Sequence, residues 1–206
     1  MALAATLVGM KTRPAYVLFL FVFAALCWGG APRQTSASQT AGQQAPAATA
    51  SPAPSHAVEA RAADVDSIEH IIAATYDAIS GPAGPRDWDR FRSLFYSGAR
   101  LIPSGRDKEG AVFARASTPD EYATRAQGFF STAGFFEVSI ANRVEVWDHM
   151  AHVWSTYESR HAKGEAPFAR GINSFQLVND GKRWWILSIY WEGEDKEHPL
   201  PDKYVK

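Results

Sequence analysis

The chain has 206 residues, 46% of them hydrophobic and 21% charged, with a formal net charge of −1. That is room for one domain with extensions, in the make-up of an ordinary globular protein. From residue 63 onward 17 Lys+Arg stand against 21 Asp+Glu, which disfavours nucleic acid as a partner, since that wants a clustered basic face.

Lys11 and Arg13 precede an uncharged run from Ala15 to Trp28, AYVLFLFVFAALCW. The run falls short of the ~20 apolar residues of a bilayer span. It has the layout of a signal peptide's apolar region, with Met10 as an alternative start and Thr35-Ser36-Ala37 as a cleavage site. Residues 1–37 are therefore expected to be a signal peptide or an N-terminal anchor. The protein is expected to be exported, periplasmic or extracellular, with membrane contact only through this segment. Cys27 is the single cysteine, so no intrachain disulfide forms. Leu26 stands before it, where a bacterial lipoprotein signal takes a small residue. No Asp, Glu, Lys or Arg occurs from Gln34 to Val58. This Ala/Pro/Ser/Thr/Gln-rich stretch has nothing to bury, so 38–62 is expected to be a disordered linker.

The folded domain is expected over 63–206. Ile68, Ile71, Ile72, Thr75, Tyr76 and Ile79 fall at helical spacing, with Asp64 or Asp66 as cap and Gly81 as terminator. Trp88, Phe91, Leu94 and Phe95 mark a short second helix. Ala99–Ile102 reads as a short strand, PSGRDKEG as a loop and AVFARAS as a second short strand. Thr118-Pro119-Asp120-Glu121 is a helix start with cap, first-turn proline and acids at the positive end of the dipole. That helix carries Tyr122, Ala126, Phe129 and Phe130 to about Thr132. From Phe135 the period becomes two, giving strands over Phe135–Trp147, Ala151–His161, Phe168–Val178 and Arg183–Glu192. Asn179-Asp180-Gly181 is a hairpin turn between two of them. Helices first and an antiparallel meander after them predict an α+β domain.

This order resembles the nuclear transport factor 2-like superfamily, including its polyketide-cyclase-type (SnoaL-like) branch. The resemblance spans about Asp64 to Glu192. It rests on a first helix ending YDAISG, on WDRFRSLFYSGARLI with its short strand, and on the closing DGKRWWILSIYW. It implies a cone: N-terminal helices packed in a strongly bent antiparallel sheet, around an internal pocket. Members of that superfamily include isomerases, dehydratases, cyclases, non-catalytic binders and dimerising scaffolds, so the fold does not choose an activity. Both faces of the last strand are apolar, Trp184, Ile186, Ser188 and Tyr190 on one and Trp185, Leu187, Ile189 and Trp191 on the other. Both should be covered. The resemblance implies a homodimer through the sheet's outer face, and an extra strand or helix of the same chain is the other cover.

The residues that could carry chemistry are few. In the ketosteroid-isomerase-like branch a carboxylate base lies near the first short strand, but none occurs between Tyr96 and Gly105, and Asp107 and Glu109 sit in a loop. Tyr76 is a candidate oxyanion donor, or else a core tyrosine with a satisfied hydroxyl. His149, His152, Glu158 and His161 do not converge, since His152 and Glu158 are ~20 Å apart along one strand. No metal site and no cofactor is expected. No Gly-x-Ser-x-Gly occurs. The expected ligand set is polar: Arg170, Ser174 and Gln176 on one strand, Tyr157 with Ser155 and Ser159 on its neighbour, and Ser188 with Tyr190 on the last. Alternation does not tell which face points inward, so a ligand patch and an outer polar network both stand. Arg170 is either an anion-holding group at the cone's mouth or a partner of Glu158 or Glu192. The functional expectation is small-molecule binding in the cone. A cofactor-independent isomerase, dehydratase or cyclase and a structural dimerisation module are the alternatives.

Overall fold

The computed structural model of the protein describes residues 59–205. The expected signal or anchor, Cys27 and the linker as far as Val58 lie outside the described residues. Among those described, no helix is long and apolar enough to cross a membrane. Structure begins a little before the expected domain start. Ala60 packs against the core, Arg61 donates to Asp87 at 3.3 Å, and helix α1 spans Ala62–Val65.

Helix α2 runs Ile68–Ile79, and its cap is Ser67, whose hydroxyl accepts from the His70 N–H at 3.1 Å. The expected caps are otherwise engaged. Asp64 receives Nε and Nη2 of Arg90 at 2.8 and 2.9 Å, and Asp66 meets His70. Arg90 lies on helix α3, Trp88–Ser93, and also contacts Asp77 on α2. This two-pronged pair ties three helices with one guanidinium, and Arg90 holds the Asp64 carboxyl below its usual range.

Strand β1 spans Phe95–Arg106, well beyond the expected Ala99–Ile102. It absorbs Pro103 and Gly105 because it is paired on both sides, to β2 (Val112–Ala114) and to the last strand. Helix α4, Pro119–Phe130, opens on the predicted cap in full. The Thr118 hydroxyl accepts from the Glu121 N–H at 3.2 Å, and the Glu121 carboxylate accepts from the Thr118 N–H at 2.8 Å. Strands β3 (Phe136–Trp147), β4 (Met150–Arg160), β5 (Ala169–Asn179) and β6 (Trp184–Gly193) follow the predicted runs to within a residue or two. The sheet order is β2-β1-β6-β5-β4-β3. The predicted meander is there as β3 to β6, but β1 joins β6 in parallel, a pairing without a local sequence signal. The fold is α+β: helices seated on the concave side of a curved six-stranded sheet. Ile71, Ile72, Phe91, Leu94, Phe95, Val153, Phe175, Leu177 and Ile186 form its fully buried centre.

The convex face is partly covered by the chain's own C-terminus. The Thr156 hydroxyl donates to the Tyr204 carbonyl at 2.5 Å, and the Tyr204 ring lies 5.6 Å from that of Trp154. A single 3-10 turn, Asp202–Tyr204, supplies the cover.

One side chain organises the turn after α2. Arg86 donates from Nε to the Ile79 carbonyl (2.8 Å), from Nη2 to Gly81 (2.9 Å), and from Nη1 to Pro82 (2.9 Å) and Gly84 (3.1 Å). Its guanidinium also stands 4.7 Å over the Phe130 ring. These carbonyls belong to a helix end and a proline-rich loop, and of the four only Gly81 also accepts a backbone N–H, that of Phe135. Arg86→Ala should lower the unfolding free energy by about 3 kcal/mol, since several acceptors lose a charged donor at once. Urea denaturation reads this directly, and Arg86→Lys should recover only a minor part of the loss because a single ammonium cannot span the loop.

Candidate functional site

The site forms where β3 begins, β4 ends and β5 begins, under α2 and α4. Register decides what faces inward. Glu137 pairs with Ser159 and Ser139 with Tyr157, while Tyr157 pairs with Gly171 and Ser155 with Asn173. All seven therefore line the concave side. An alternating apolar strand should turn Val138 and Ile140 inward, yet these are 46% and 38% exposed. The start of β3 is inverted, with its polar residues toward the core.

Glu137 is the centre of this inversion. Its carboxylate accepts from the Ser159 hydroxyl at 2.6 Å and from the Asn173 side chain. Burial pushes the Glu137 carboxyl up to about 7, against the opposing pull of those two hydrogen bonds. Its backbone is fixed as well. The Glu137 N–H donates to the Ser80 hydroxyl at 2.9 Å, and Ser80 sits at the end of α2. Two residues earlier, Phe135 and Gly81 exchange both backbone hydrogen bonds, at 2.9 and 2.7 Å.

From Asn173 a directed chain of donors leads away from the carboxylate. Asn173 Nδ2 donates to the Tyr76 phenol at 3.0 Å. The Tyr76 hydroxyl then donates to Ser155 (2.7 Å), Ser155 to Ser139 (3.2 Å), and Ser139 to the Asn142 side-chain oxygen (2.8 Å). Tyr76 thus has its proton committed to Ser155. Of the two roles open to it, the satisfied core tyrosine is the one the geometry supports. Burial and the nearby Glu137 charge both raise its pKa.

Two other phenols stand differently. Tyr122 on α4 and Tyr157 on β4 both lie within the electrostatic reach of Glu137, and burial, with that charge, raises the pKa of each. Neither hydroxyl has a hydrogen-bond partner among the described residues. Tyr157 is 7% exposed and lies flat across Gly171: a Cβ there would come within 2.5 Å of its hydroxyl oxygen. A glycine is required at that position by close approach. Around this polar centre the wall is aromatic. Tyr122 meets Trp191 edge-on at 6.2 Å and stacks on Phe91 at 5.4 Å, and Trp88, Phe130 and Phe135 continue the ring cluster.

The other expected ligand residues stand elsewhere. Arg170, Ser174, Gln176, Ser188 and Tyr190 share the convex face, with Ser174 opposite Tyr190 and Gln176 opposite Ser188. The registers agree as anticipated, but they gather these five on the side of the sheet away from Tyr157. Arg170 lies 3.5 Å from both Glu158 and Glu194, and Ser174 bonds to His152 at 3.1 Å. Sequence reading missed Glu137, Asn173 and Tyr122. The signal was the polar run Ser155, Tyr157, Ser159 on one parity, which marks a polar interior once β3 and β5 are laid beside it. Among the described residues no cluster of His, Cys, Asp and Glu is arranged to hold a metal ion. A shallow hollow lined by Asp77, Ser80, Pro82, Arg86 and Arg90 opens at the α2–α3 turn, and Glu137 is not among its lining residues.

A protein with a cystatin-like fold from Nostoc punctiforme superposes with a TM-score of 0.50 at 13% identity, over 68% of this chain and 97% of that one. The fold is cystatin-like. A nuclear transport factor 2-like protein from Shewanella baltica aligns at TM-score 0.43 and 13% identity, covering 62% of this chain and 94% of that one. A cystatin-like protein from Caulobacter vibrioides aligns at 0.46 and 14%, covering 64% and 90%. At 13% identity the first of these likenesses shows the cystatin-like fold and nothing of activity. No family profile and no curated protein matches the sequence.

The Glu137 shift has a stability consequence of definite sign. A carboxyl whose folded-state value of about 7 lies above its ordinary 4.5 takes up a proton on folding within that window. Stability therefore falls as pH rises from 4.5 through 7 and is level above. Glu137→Gln removes the ionisation and keeps an acceptor for Ser159. Its melting temperature should gain on the wild type steadily across that window, reaching an advantage of about 3 kcal/mol at pH 8. Thermal melts of both proteins at pH 5 and pH 8 test this, and a constant offset at the two pH values would contradict it.

Proposed function

We propose that the protein binds a small, largely apolar or aromatic molecule against the concave face of its sheet, and that Glu137 acts on it as a general base and acid. The observation that carries this is a buried carboxyl poised near neutral pH beside two unpartnered phenols, inside an aromatic wall. A group titrating near 7 both accepts and returns a proton at low cost. Ser159 and Asn173 hold the carboxyl in place, and Tyr76, with Ser155 behind it, orients Asn173. Tyr122 and Tyr157 have hydroxyl protons free for a ligand oxygen. The reaction class that fits is proton transfer at carbon next to a carbonyl, as in a cofactor-independent isomerisation, dehydration or cyclisation. In this reading the convex set around Arg170 stabilises the sheet, and the N-terminal segment delivers the domain outside the cytoplasm.

The test needs no knowledge of the natural substrate. The full chain is incubated in deuterated buffer with a panel of cyclic and aryl ketones, and loss of the α-proton signal is followed by proton NMR. For an accepted ketone, exchange should rise with pH through about 7, following the Glu137 carboxyl. Glu137→Gln should slow it by roughly 100-fold or more. Tyr157→Phe should slow it less. Ketones that bind by saturation transfer but never exchange would make the protein a binder only. Exchange that persists in Glu137→Gln would remove this residue from the chemistry.

A further inference from the structure

The sheet has two edges, and they are unlike. β2 is three residues long, and β3 is twelve. β3 contains no Pro, Gly or Lys, the residues that commonly blunt an edge. Val144, Val146 and Trp147 on it are 42%, 56% and 76% exposed, and Met150 across the turn is 53% exposed. Which backbone groups are open follows from the pairing at its start. Phe135 exchanges both hydrogen bonds with Gly81, on the side away from β4. Alternation carries that outward orientation to Glu137, whose N–H meets Ser80, and then to Ser139. The register shift between Ser139 and Ala141 inserts one residue. Beyond it the outward groups belong to Asn142, Val144 and Val146. Among the described residues no strand pairs with them.

We propose that this edge docks a second copy of the chain, β3 against β3, antiparallel about a two-fold axis at Val144. Charge selects both the occupant and the register. With the axis at Val144, Arg143 of one copy stands opposite Glu145 of the other, twice over. Both side chains are exposed and both belong to the convex face, where Arg143 stands 5.5 Å over the Tyr204 ring; neither is in an ion pair among the described residues. Asn142 then faces Val146, Val144 faces its own counterpart, and Trp147 lies over Ala141. Moving the axis to Asn142 sets Arg143 against Ala141 and Glu145 against Ser139. Moving it to Val146 sets them against His149 and Trp147. Only the Val144 register joins opposite charges, and only a two-fold partner repeats the match, which is the self-complementarity of an isologous interface. The outward residues also fall opposite one another as hydrogen-bonded pairs in this register. This interface differs from one through the convex face, where the chain's own Tyr204 already covers Trp154. It does not depend on the chemistry proposed for Glu137.

A thiol on the axis tests it in the full chain. With Cys27→Ser as background, Val144→Cys leaves one cysteine per copy. Residues opposite each other in a hydrogen-bonded pair have Cα atoms ~5.5 Å apart, within disulfide range. Mild oxidation should give a disulfide-linked dimer on a non-reducing gel, while Tyr190→Cys on the convex face should give none. Adding Arg143→Glu should cut the cross-linked fraction at least tenfold, and Arg143→Glu with Glu145→Arg should restore it. Circular dichroism confirms that each variant is folded. No cross-link at Val144→Cys in folded protein, a cross-link at Tyr190→Cys instead, or indifference to the charge reversal overturns the proposal.

Discussion

The joint between α2 and β3 sets the geometry on which the rest of the molecule depends. Arg86 draws the carbonyls of Ile79, Gly81, Pro82 and Gly84 around one guanidinium. That fixes Gly81 where it can pair with Phe135, and it fixes Ser80 where it can receive the Glu137 N–H. The burial of Arg86 lowers its pKa, yet a guanidinium stays charged at any ordinary pH. A permanent cation among carbonyls is therefore the anchor for a carboxyl that does change its charge. The two groups need not touch, since one holds the backbone from which the other projects.

Inverting the start of β3 has a cost and a return. Val138 and Ile140 remain in solvent, and a carboxyl goes into an aromatic interior where its ionised form is disfavoured. The extra residue after Ser139 then restores the ordinary sense of the strand, so Val144 pairs with buried Val153 on the concave side. A bulge thus separates a chemical half of β3 from a half that closes the sheet. Bulges beside active sites commonly serve to re-aim side chains in this way. The concave polar chain from Asn173 to Asn142 ends at the bulge, and the exposed apolar stretch starts just past it.

The sequence carried most of the architecture because its signals were local. The Thr118–Glu121 box, the Asp180-Gly181 turn and the period-two runs each report on a few neighbouring residues, and each appears where expected. Ser67 caps α2 although Asp64 and Asp66 lie beside it, because Asp64 is taken by Arg90 and Asp66 by His70. β1 was read too short because Pro103 and Gly105 look like loop. The pairing that holds them comes from Phe113, eight residues past Gly105, and from Trp191, 88 residues past Pro103. The candidate site was hardest to read for a related reason. Phe136, Val138 and Ile140 have the parity of an inward face, so nothing local marks Glu137 as facing the core. Tyr157 lies on the concave face, while Arg170, Ser174 and Gln176, expected beside it, lie on the other. Face assignment depends on where a bulge falls, and no single strand records that.

The parallel seam between β1 and β6 bears on how the chain comes to be folded. Phe95 meets Ile186, and Leu101 meets Ile189, across most of the domain's length. Until β6 exists, β1 has only the three-residue β2 to pair with. Such distant closure slows folding and leaves early-made segments exposed while the rest is synthesised. In a chain built this way β6, near the end of the polypeptide, decides whether β1 is paired along its length. A truncation after β5 would therefore not leave a smaller working version of the protein; it would leave β1, with Phe95 and Leu101, as a strand without its long partner.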